Sequence, residues 1–264
     1  MTVEENLVTI AENQLLVKKA GYDKGFEEGL TPDISWENFR NAMARESYDK
    51  AFLNWDSEEI APPYKITPIG KCTELFHGCT ALKRIEPSSF DLSQADYSPD
   101  TTESATYGTF WLCRELEVIP DIGLQPGYYA STFTACMKAH TIKMLRVNED
   151  CKFNVTTFTG CPELQNIENI EGTIGQNFFI LGCPKLSPDC LKKIIKHLKD
   201  LYGTGDEYKR TLYVYKTAWD ALEAEGFNDE DKAWYENWLG EPLPDGYNWF
   251  FAVFDLCWNL TLQE

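Results

Sequence analysis

The sequence predicts an α+β repeat fold: a short solenoid with a helical N-terminal segment and an α/β, aromatic-rich C-terminal cap. The first observation is a motif that starts with Phe-x-x-Cys and recurs through the middle of the chain every twenty-odd residues. The second is that both flanks lack the full motif, and that the C-terminal flank holds five of the eight tryptophans. The predicted units are a helical N-terminal segment at 1–68, the repeats at 69–187 and the cap at 188–264.

The four complete copies of the motif have Phe, Cys three residues later, an apolar residue at the sixth following position and Ile at the ninth. Random placement of the 15 Phe and 9 Cys residues predicts only about 0.5 Phe-x-x-Cys pairs. The intervals between starts are 34, 23, 25 and 22 residues. They suit a leucine-rich-repeat-like coil of roughly 20–29 residues, with an insertion at 93–104 in the first repeat. The copies start at Phe76, Phe110, Phe133 and Phe158, and a degraded one starts at Ile180.

The nine cysteines are predicted to be small apolar core residues. Their odd number, the lack of a Cys-x-x-Cys pair and the presence of only three histidines argue against a disulfide framework and a zinc site. Phe and Cys three residues apart share one face of a turn, so both are expected to point inward. The Leu-x-x-Ile that follows is predicted to begin a strand whose aliphatic side chains line the interior.

The composition excludes several classes of function. Lys and Arg number 24 and Asp and Glu number 42, so the formal charge of −18 disfavours nucleic acid and anionic lipid as partners. No apolar stretch has the roughly 20 residues that a membrane-spanning helix needs, so no membrane insertion is expected. The N-terminus lacks a secretory signal pattern, which predicts that the protein stays in the compartment where it is made.

The sequence predicts a protein that is not an enzyme. It has no phosphate-binding loop, no Gly-x-Ser-x-Gly and no His-Glu-x-x-His. A carboxylate pair for glycoside hydrolysis stays open, because 42 acidic residues allow many pairings. We therefore predict no catalytic residue, no metal and no cofactor.

The segment 76–85, FHGCTALKRI, resembles the BspA-type (treponemal-type) leucine-rich repeats, as does 158–164, FTGCPEL. The resemblance covers about residues 70–190. The third copy departs from it, with Ala139 in place of Leu and no Gly before Cys136. The flanks are similar to leucine-rich-repeat proteins encoded by tailed bacteriophages of gut bacteria. The similar segments are TIAEN at 9–13, KAGYDKG at 19–25, the stretch that runs from YDKAF at 48–52 to PPYKITP at 62–68, and LSPDCL at 186–191.

This resemblance implies a virion-associated protein of a tail or other surface appendage, made in the host cytoplasm. Its function would be structural or host-recognising. Its partners would be other virion proteins or a host surface protein or glycan, and a homo-oligomer is compatible with this role. Two alternatives stay open, a bacterial surface adhesin and a cytoplasmic protein–protein interaction adaptor.

A repeat of this kind binds partners through the outward residues of its short strands. In each Leu-x-x-Ile segment the residues beside the inward Ile are expected to point outward. The predicted binding residues are Arg84, Glu86, Thr141, Lys143, Asn166 and Glu168.

The flanks carry further predictions. Residues 2–29 and 36–55 are predicted helices, the first either for anchoring or oligomerisation or for packing on the first coil.

Residues 191–202 form a predicted amphipathic helix with Ser187 as its N-cap, and its four lysines are expected on a solvated face. Residues 211–215 are a predicted strand. Residues 228–231 are predicted to start a helix rather than to bind calcium, and the aromatic side chains that follow stay open between core and contact surface.

Overall fold

A computed structural model of the chain describes residues 48–62, 65–68, 70–99, 101–243 and 246–264. The predicted helix at 2–29 and most of the one at 36–55 lie outside the described residues. The described end of the second, from residue 48 onward, forms consecutive turns and not the predicted helix.

The described residues form three small parallel sheets and four α-helices. The first sheet pairs β1 with β2, the second has the order β3-β4-β5, and the third has the order β6-β7-β8. The strands are β1 Glu59–Ile60, β2 Arg84–Ile85, β3 Val118–Ile119, β4 Thr141–Arg146, β5 Asn166–Glu171, β6 Phe178–Ile180, β7 Thr211–Tyr215 and β8 Asn259–Gln263. The helices are α1 Pro188–Lys196, α2 Lys216–Glu225, α3 Asp229–Leu239 and α4 Trp249–Asp255.

The predicted fold class, an α+β repeat with a leucine-rich-repeat-like solenoid, is therefore wrong: these elements make an α/β fold. Such a solenoid would carry one parallel sheet through all its repeats, whereas among the described residues the strands fall into three separate sheets. The first separation, between β2 and β3, falls at the interval of 34 residues. Between these two copies, backbone hydrogen bonds join turns instead of strands. For example, the Phe76 N–H donates to Thr109 O at 2.9 Å.

Helix α1 causes the second separation, because it occupies the edge of β5 where a further strand would pair. The Ile167 N–H donates to Cys190 Sγ of this helix at 3.2 Å. The Lys193 ammonium donates to Ile167 O at 2.7 Å and to Glu168 O at 3.1 Å. Side chains of α1 thus satisfy backbone groups that an exposed edge would offer to another chain.

The recurring aromatic and thiol positions are buried, as predicted, and they contact one another from copy to copy. The rings of Phe76 and Phe110 stack with centroids 5.6 Å apart, and Phe133 and Phe158 stack at 5.2 Å. Each motif thiol donates to the carbonyl of the Phe in the preceding copy: Cys113 Sγ lies 3.2 Å from Phe76 O. The same bond joins Cys136 to Phe110 and Cys161 to Phe133. We call this stack of rings and thiols the phenylalanine ladder.

The ladder begins one copy earlier than the motif does. Cys79 Sγ donates to Phe52 O at 2.9 Å, and the Phe52 ring stacks on Phe76 at 5.5 Å. Trp55 stands where this copy would have Cys, which hides the copy from a motif search. The residue before the thiol position has a positive φ in every copy. Glycine adopts this conformation without strain, and three copies have it there, as Gly78, Gly160 and Gly182. Leu112 and Ala135 occupy the same position with strain.

Several predictions about the cap are confirmed. Ser187 accepts a hydrogen bond from Cys190 N–H and starts α1, although this helix ends at Lys196 rather than near residue 202. The predicted strand 211–215 is β7, the central strand of the third sheet. Asn228 caps α3 through a capping box with Asp231, as a helix start requires.

No helix of the described residues has both the length and the apolarity to cross a bilayer.

Candidate functional site

Four of the six predicted binding residues lie together on β4 and β5. Thr141 pairs in register with Asn166, and the Lys143 ammonium lies 2.5 Å from the Glu168 carboxylate. All four side chains are at least partly exposed, while Ile142 and Ile167 between them are buried. We call Thr141, Lys143, Asn166 and Glu168 the strand face.

The other two predicted residues belong to a different sheet. Arg84 lies on β2, where its guanidinium contacts Glu59 at 2.6 Å and Glu86 at 2.7 Å. Glu86 also accepts from the N–H and the hydroxyl of Ser88, and these bonds hold the pKa of its carboxyl below the usual value. Glu86 therefore caps the short 3-10 helix Pro87–Ser89, and it does not join the strand face.

Charged side chains around the strand face pair with partners one repeat away. Lys138 contacts Glu115 at 2.5 Å, and Lys185 contacts Glu163 at 2.7 Å. The Lys143–Glu168 pair follows the same pattern. Exposed pairs of this kind contribute only about 0–1 kcal/mol each, so their main effect is to neutralise charge along the strands. A partner that uses these charges must compete with the internal pairs.

Arg146, at the end of β4, is a further ionic residue that the sequence analysis missed. Its guanidinium donates to both carboxylate oxygens of Asp121, at 2.8 and 2.9 Å, and to Glu171 at 3.0 Å. The bonds from Arg146 hold the pKa of the Asp121 carboxyl below its usual value. The signal was available in principle, because these three residues are 25 positions apart, the spacing of the repeats.

A polar cleft of about 510 Å³ opens beside the strand face, between β5, helix α1 and the N-terminal end of α3. Asn166 belongs both to the strand face and to this cleft. Its Oδ1 accepts from the Lys193 ammonium at 3.0 Å. The tertiary structure thus extends the predicted surface onto helices of the cap.

The inner wall of the cleft is a cluster of buried and half-buried charges. The Asp231 carboxylate lies 3.0 Å from the ammonium groups of both Lys192 and Lys196, and Lys192 also donates to Glu225. Burial tends to raise the pKa of Asp231, but hydrogen bonds from the two lysines outweigh it and hold the pKa below the usual value. The prediction that these lysines lie on a solvated face is wrong for Lys192, whose side chain is 5% exposed.

Aromatic rings complete the surroundings of this charge cluster. The Lys192 ammonium lies 5.9 Å from the centroid of the Trp249 ring, and the Lys196 ammonium lies 5.4 Å from that of Trp234. Cations so placed are attracted by the ring faces. The cluster is therefore a stable part of the wall rather than a set of free binding groups.

The outer wall of the cleft offers polar groups that bind nothing within the described residues. The amide of Gln165 and the carboxylates of Asp189 and Glu230 line the opening, are exposed and make no side-chain hydrogen bond in that part of the chain. An amide and two carboxylates can accept from hydroxyl and N–H donors, and the amide can also donate. Such a set suits a polar ligand rich in hydroxyl or amide groups.

The cysteines are not part of this surface. All nine are buried without disulfide bonds, and burial raises the pKa of the Cys151 and Cys190 thiols to about 11. At neutral pH these two thiols are therefore protonated and poor nucleophiles. In the described ranges, no three His, Cys, Asp or Glu side chains are placed to hold a metal ion.

Comparison with known proteins adds no relative: no protein family matches the chain, and neither curated proteins nor solved structures match it.

Proposed function

We propose that the protein is a non-enzymatic structural or host-recognition component of a bacteriophage particle, in a tail or other surface appendage. The strand face and the polar cleft beside it would form its binding surface. The flanking segments, through their resemblance to phage-encoded proteins, support the location. The ligand class is a surface protein or glycan, whose hydroxyl and amide groups match the polar lining of the cleft.

The observation that carries the binding role is the free polar groups at the cleft. Gln165, Asp189 and Glu230 line an opening of about 510 Å³ and make no side-chain hydrogen bond within the described residues. Polar side chains that converge on a concavity without internal partners are available to orient a ligand. The paired charges of the strand face, by contrast, are already compensated.

Mass spectrometry of purified particles tests the location. Peptides of this chain should be present in stoichiometric amounts after particles are washed at high salt. Their absence would contradict a virion component and would favour an adaptor that acts inside the host cell.

Binding of the purified, fluorescently labelled full chain to intact host cells, and to particles that lack it, tests the surface. The triple variant Gln165→Ala, Asp189→Ala, Glu230→Ala should bind at least tenfold more weakly than the wild type, because it removes every free group of the outer wall. The double variant Glu115→Ala, Lys138→Ala removes an exposed ion pair outside the cleft and should bind normally. Equal binding by wild type and triple variant would refute the cleft as the binding surface.

A further inference from the structure

The aromatic side chains of helix α4 point to opposite sides of the helix. Trp249 is fully buried, and its indole N–H donates to Gly226 O at 3.3 Å. Phe250, Phe251 and Phe254 on the same helix are instead 46, 44 and 48% exposed. Helix α4 thus carries both core and solvent-exposed aromatic side chains.

The exposed rings form one continuous surface. Phe250 and Phe254, one helical turn apart, stack with centroids 6.4 Å apart, and Phe251 lies 5.9 Å from Phe250. The ring of Tyr208, from the segment before β7, lies 5.0 Å from Phe254. We call Phe250, Phe251, Phe254 and Tyr208 the aromatic face. Contiguous apolar patches on a soluble protein commonly mark contact sites.

Carboxylates surround the aromatic face. Glu223 accepts from the Phe250 N–H at 3.2 Å. Glu207 directly precedes Tyr208, and the Tyr208 N–H donates to Cys257 O at 2.7 Å, which ties this segment to the end of α4. Asp200 and Asp255 also line a cleft of about 450 Å³ whose other walls are Tyr202, Trp238 and Leu239.

Two basic side chains follow Tyr208 in the chain, and both bind other groups. The Lys209 ammonium lies 3.1 Å from the Asp206 carboxylate and also donates to a backbone carbonyl. The Arg210 guanidinium donates to Gly175 O, in the segment before β6, at 3.1 Å. The surroundings of the aromatic face therefore carry a net negative potential, which attracts cations and repels anions.

Charge decides among the occupants that an apolar surface of this kind attracts. A second copy of the chain would bring another acidic rim and a formal charge of −18. The N-terminal 47 residues hold nine acidic and five basic side chains, so they too are net negative. Anionic lipid is repelled for the same reason. The remaining match is a protein segment that combines apolar and basic side chains.

We propose that the aromatic face, with its acidic rim, is a docking site for a cationic amphipathic segment of a partner protein. Apolar side chains of the segment pack on Phe250, Phe251, Phe254 and Tyr208, while its Lys and Arg side chains contact Asp200, Glu207 and Glu223. This site is separate from the polar cleft and does not depend on the function proposed for it.

Fluorescence anisotropy with a labelled synthetic Leu/Lys amphipathic peptide tests the proposal on the full chain. A Leu/Glu peptide of equal length and pattern is the matched probe. The wild type should bind the Leu/Lys peptide at least tenfold more tightly than the Leu/Glu peptide. The double variant Phe250→Ser, Phe254→Ser should lose at least tenfold in affinity for the Leu/Lys peptide. It should stay folded and unfold in one cooperative thermal transition, because both side chains are about half exposed.

Two control variants separate the contributions of charge and apolar area. The variant Glu207→Gln, Glu223→Gln keeps the shape of the rim and should bind the Leu/Lys peptide three- to tenfold more weakly. Its residual binding should be less sensitive to salt. Met137→Ser, Val155→Ser removes two exposed apolar side chains elsewhere and should leave binding unchanged.

Three results would overturn the proposal. The first is equal binding of both peptides, or no binding of either. The second is sedimentation that shows self-association of the wild type and none in Phe250→Ser, Phe254→Ser, since a second copy would then be the occupant. The third is a cross-link from a photoreactive amino acid at position 250 to residues 1–47 of the same chain.

Discussion

The repeat region and the cap of this protein build their cores by different means. In the repeat region the same contact recurs, as a thiol donates to the Phe carbonyl of the preceding copy and the rings stack from copy to copy. In the cap each contact is unique, such as the Tyr235 hydroxyl that donates to the Asp255 carboxylate at 2.8 Å. A recurring contact leaves a recurring motif in the sequence, whereas a unique contact leaves none.

The pair Phe254-x-x-Cys257 makes this difference explicit. It has the spacing of the motif, yet Phe254 is 48% exposed and Cys257 Sγ points to Asp255 O. Conversely, Phe52 lies in the phenylalanine ladder without a Cys at the third following position. The Phe-x-x-Cys spacing alone therefore does not place a residue in the phenylalanine ladder. A neighbouring copy must also stack against it on at least one side.

The largest expected effect comes from a cavity in the ladder. Phe133 is almost fully buried and stacks on both Phe110 and Phe158, so Phe133→Ala should destabilise the protein by about 3–5 kcal/mol. Denaturant unfolding measures this loss. Phe254→Ala, the matched change in the aromatic face, removes a half-exposed ring and should cost only about 1 kcal/mol. Similar losses for both variants would remove the distinction between ladder and surface.

The charge cluster in the cap should give the next largest effect. Asp231→Asn leaves the buried Lys192 and its neighbour Lys196 without a shared carboxylate and should cost about 3 kcal/mol at neutral pH. The folded-state pKa of Asp231 lies below the ordinary 3.8. Its contribution is therefore complete above pH 3.8 and is lost as the pH falls through the lowered value.

Unfolding of wild type and Asp231→Asn across acidic pH checks this sign. The difference in stability should be constant at neutral pH and shrink in the acid range. A difference that grows as the pH falls would show that the neutral carboxyl is the favoured form.

A smaller effect is expected at the left-handed position before each thiol. Gly160→Ala places a Cβ 3.3 Å from the Ala135 Cα at a φ of +74° and should destabilise by about 1–2 kcal/mol. Ala135→Gly relieves the same strain at a φ of +58° and should stabilise by about 0.5–1 kcal/mol. Thermal unfolding of the two variants should therefore shift in opposite directions, and a shift in the same direction would contradict the role of this position.

The smallest effect is expected on the strand face. Lys143→Ala and Glu168→Ala each remove one side of an exposed pair and should change the free energy of unfolding by less than about 1 kcal/mol. A double-mutant cycle isolates the coupling between the two side chains. A coupling well above 1 kcal/mol would mean that these residues stabilise the fold rather than serve recognition.

The candidate site was predictable only in part. Thr141, Lys143, Asn166 and Glu168 lie beside one another, because the repeat interval puts them at equivalent positions of neighbouring strands. Their role in binding stays a prediction. The cleft was not predictable, because its walls come from β5, α1 and α3, and only Asn166 among the predicted residues lines it. Lys193 reads as a surface lysine, and only the packing of α1 on β5 directs its ammonium to backbone carbonyls.

By itself the sequence determined the buried Phe, Cys and Ile positions, the N-cap at Ser187 and the strand 211–215, since each depends on local spacing and side-chain chemistry. The tertiary structure decided that these parts make an α/β fold of three sheets and not one solenoid. The reason is physical: whether a strand edge meets another strand or a helix depends on which distant segment covers it. Here Cys190 and Lys193 cover the edge of β5, and no local pattern records that choice.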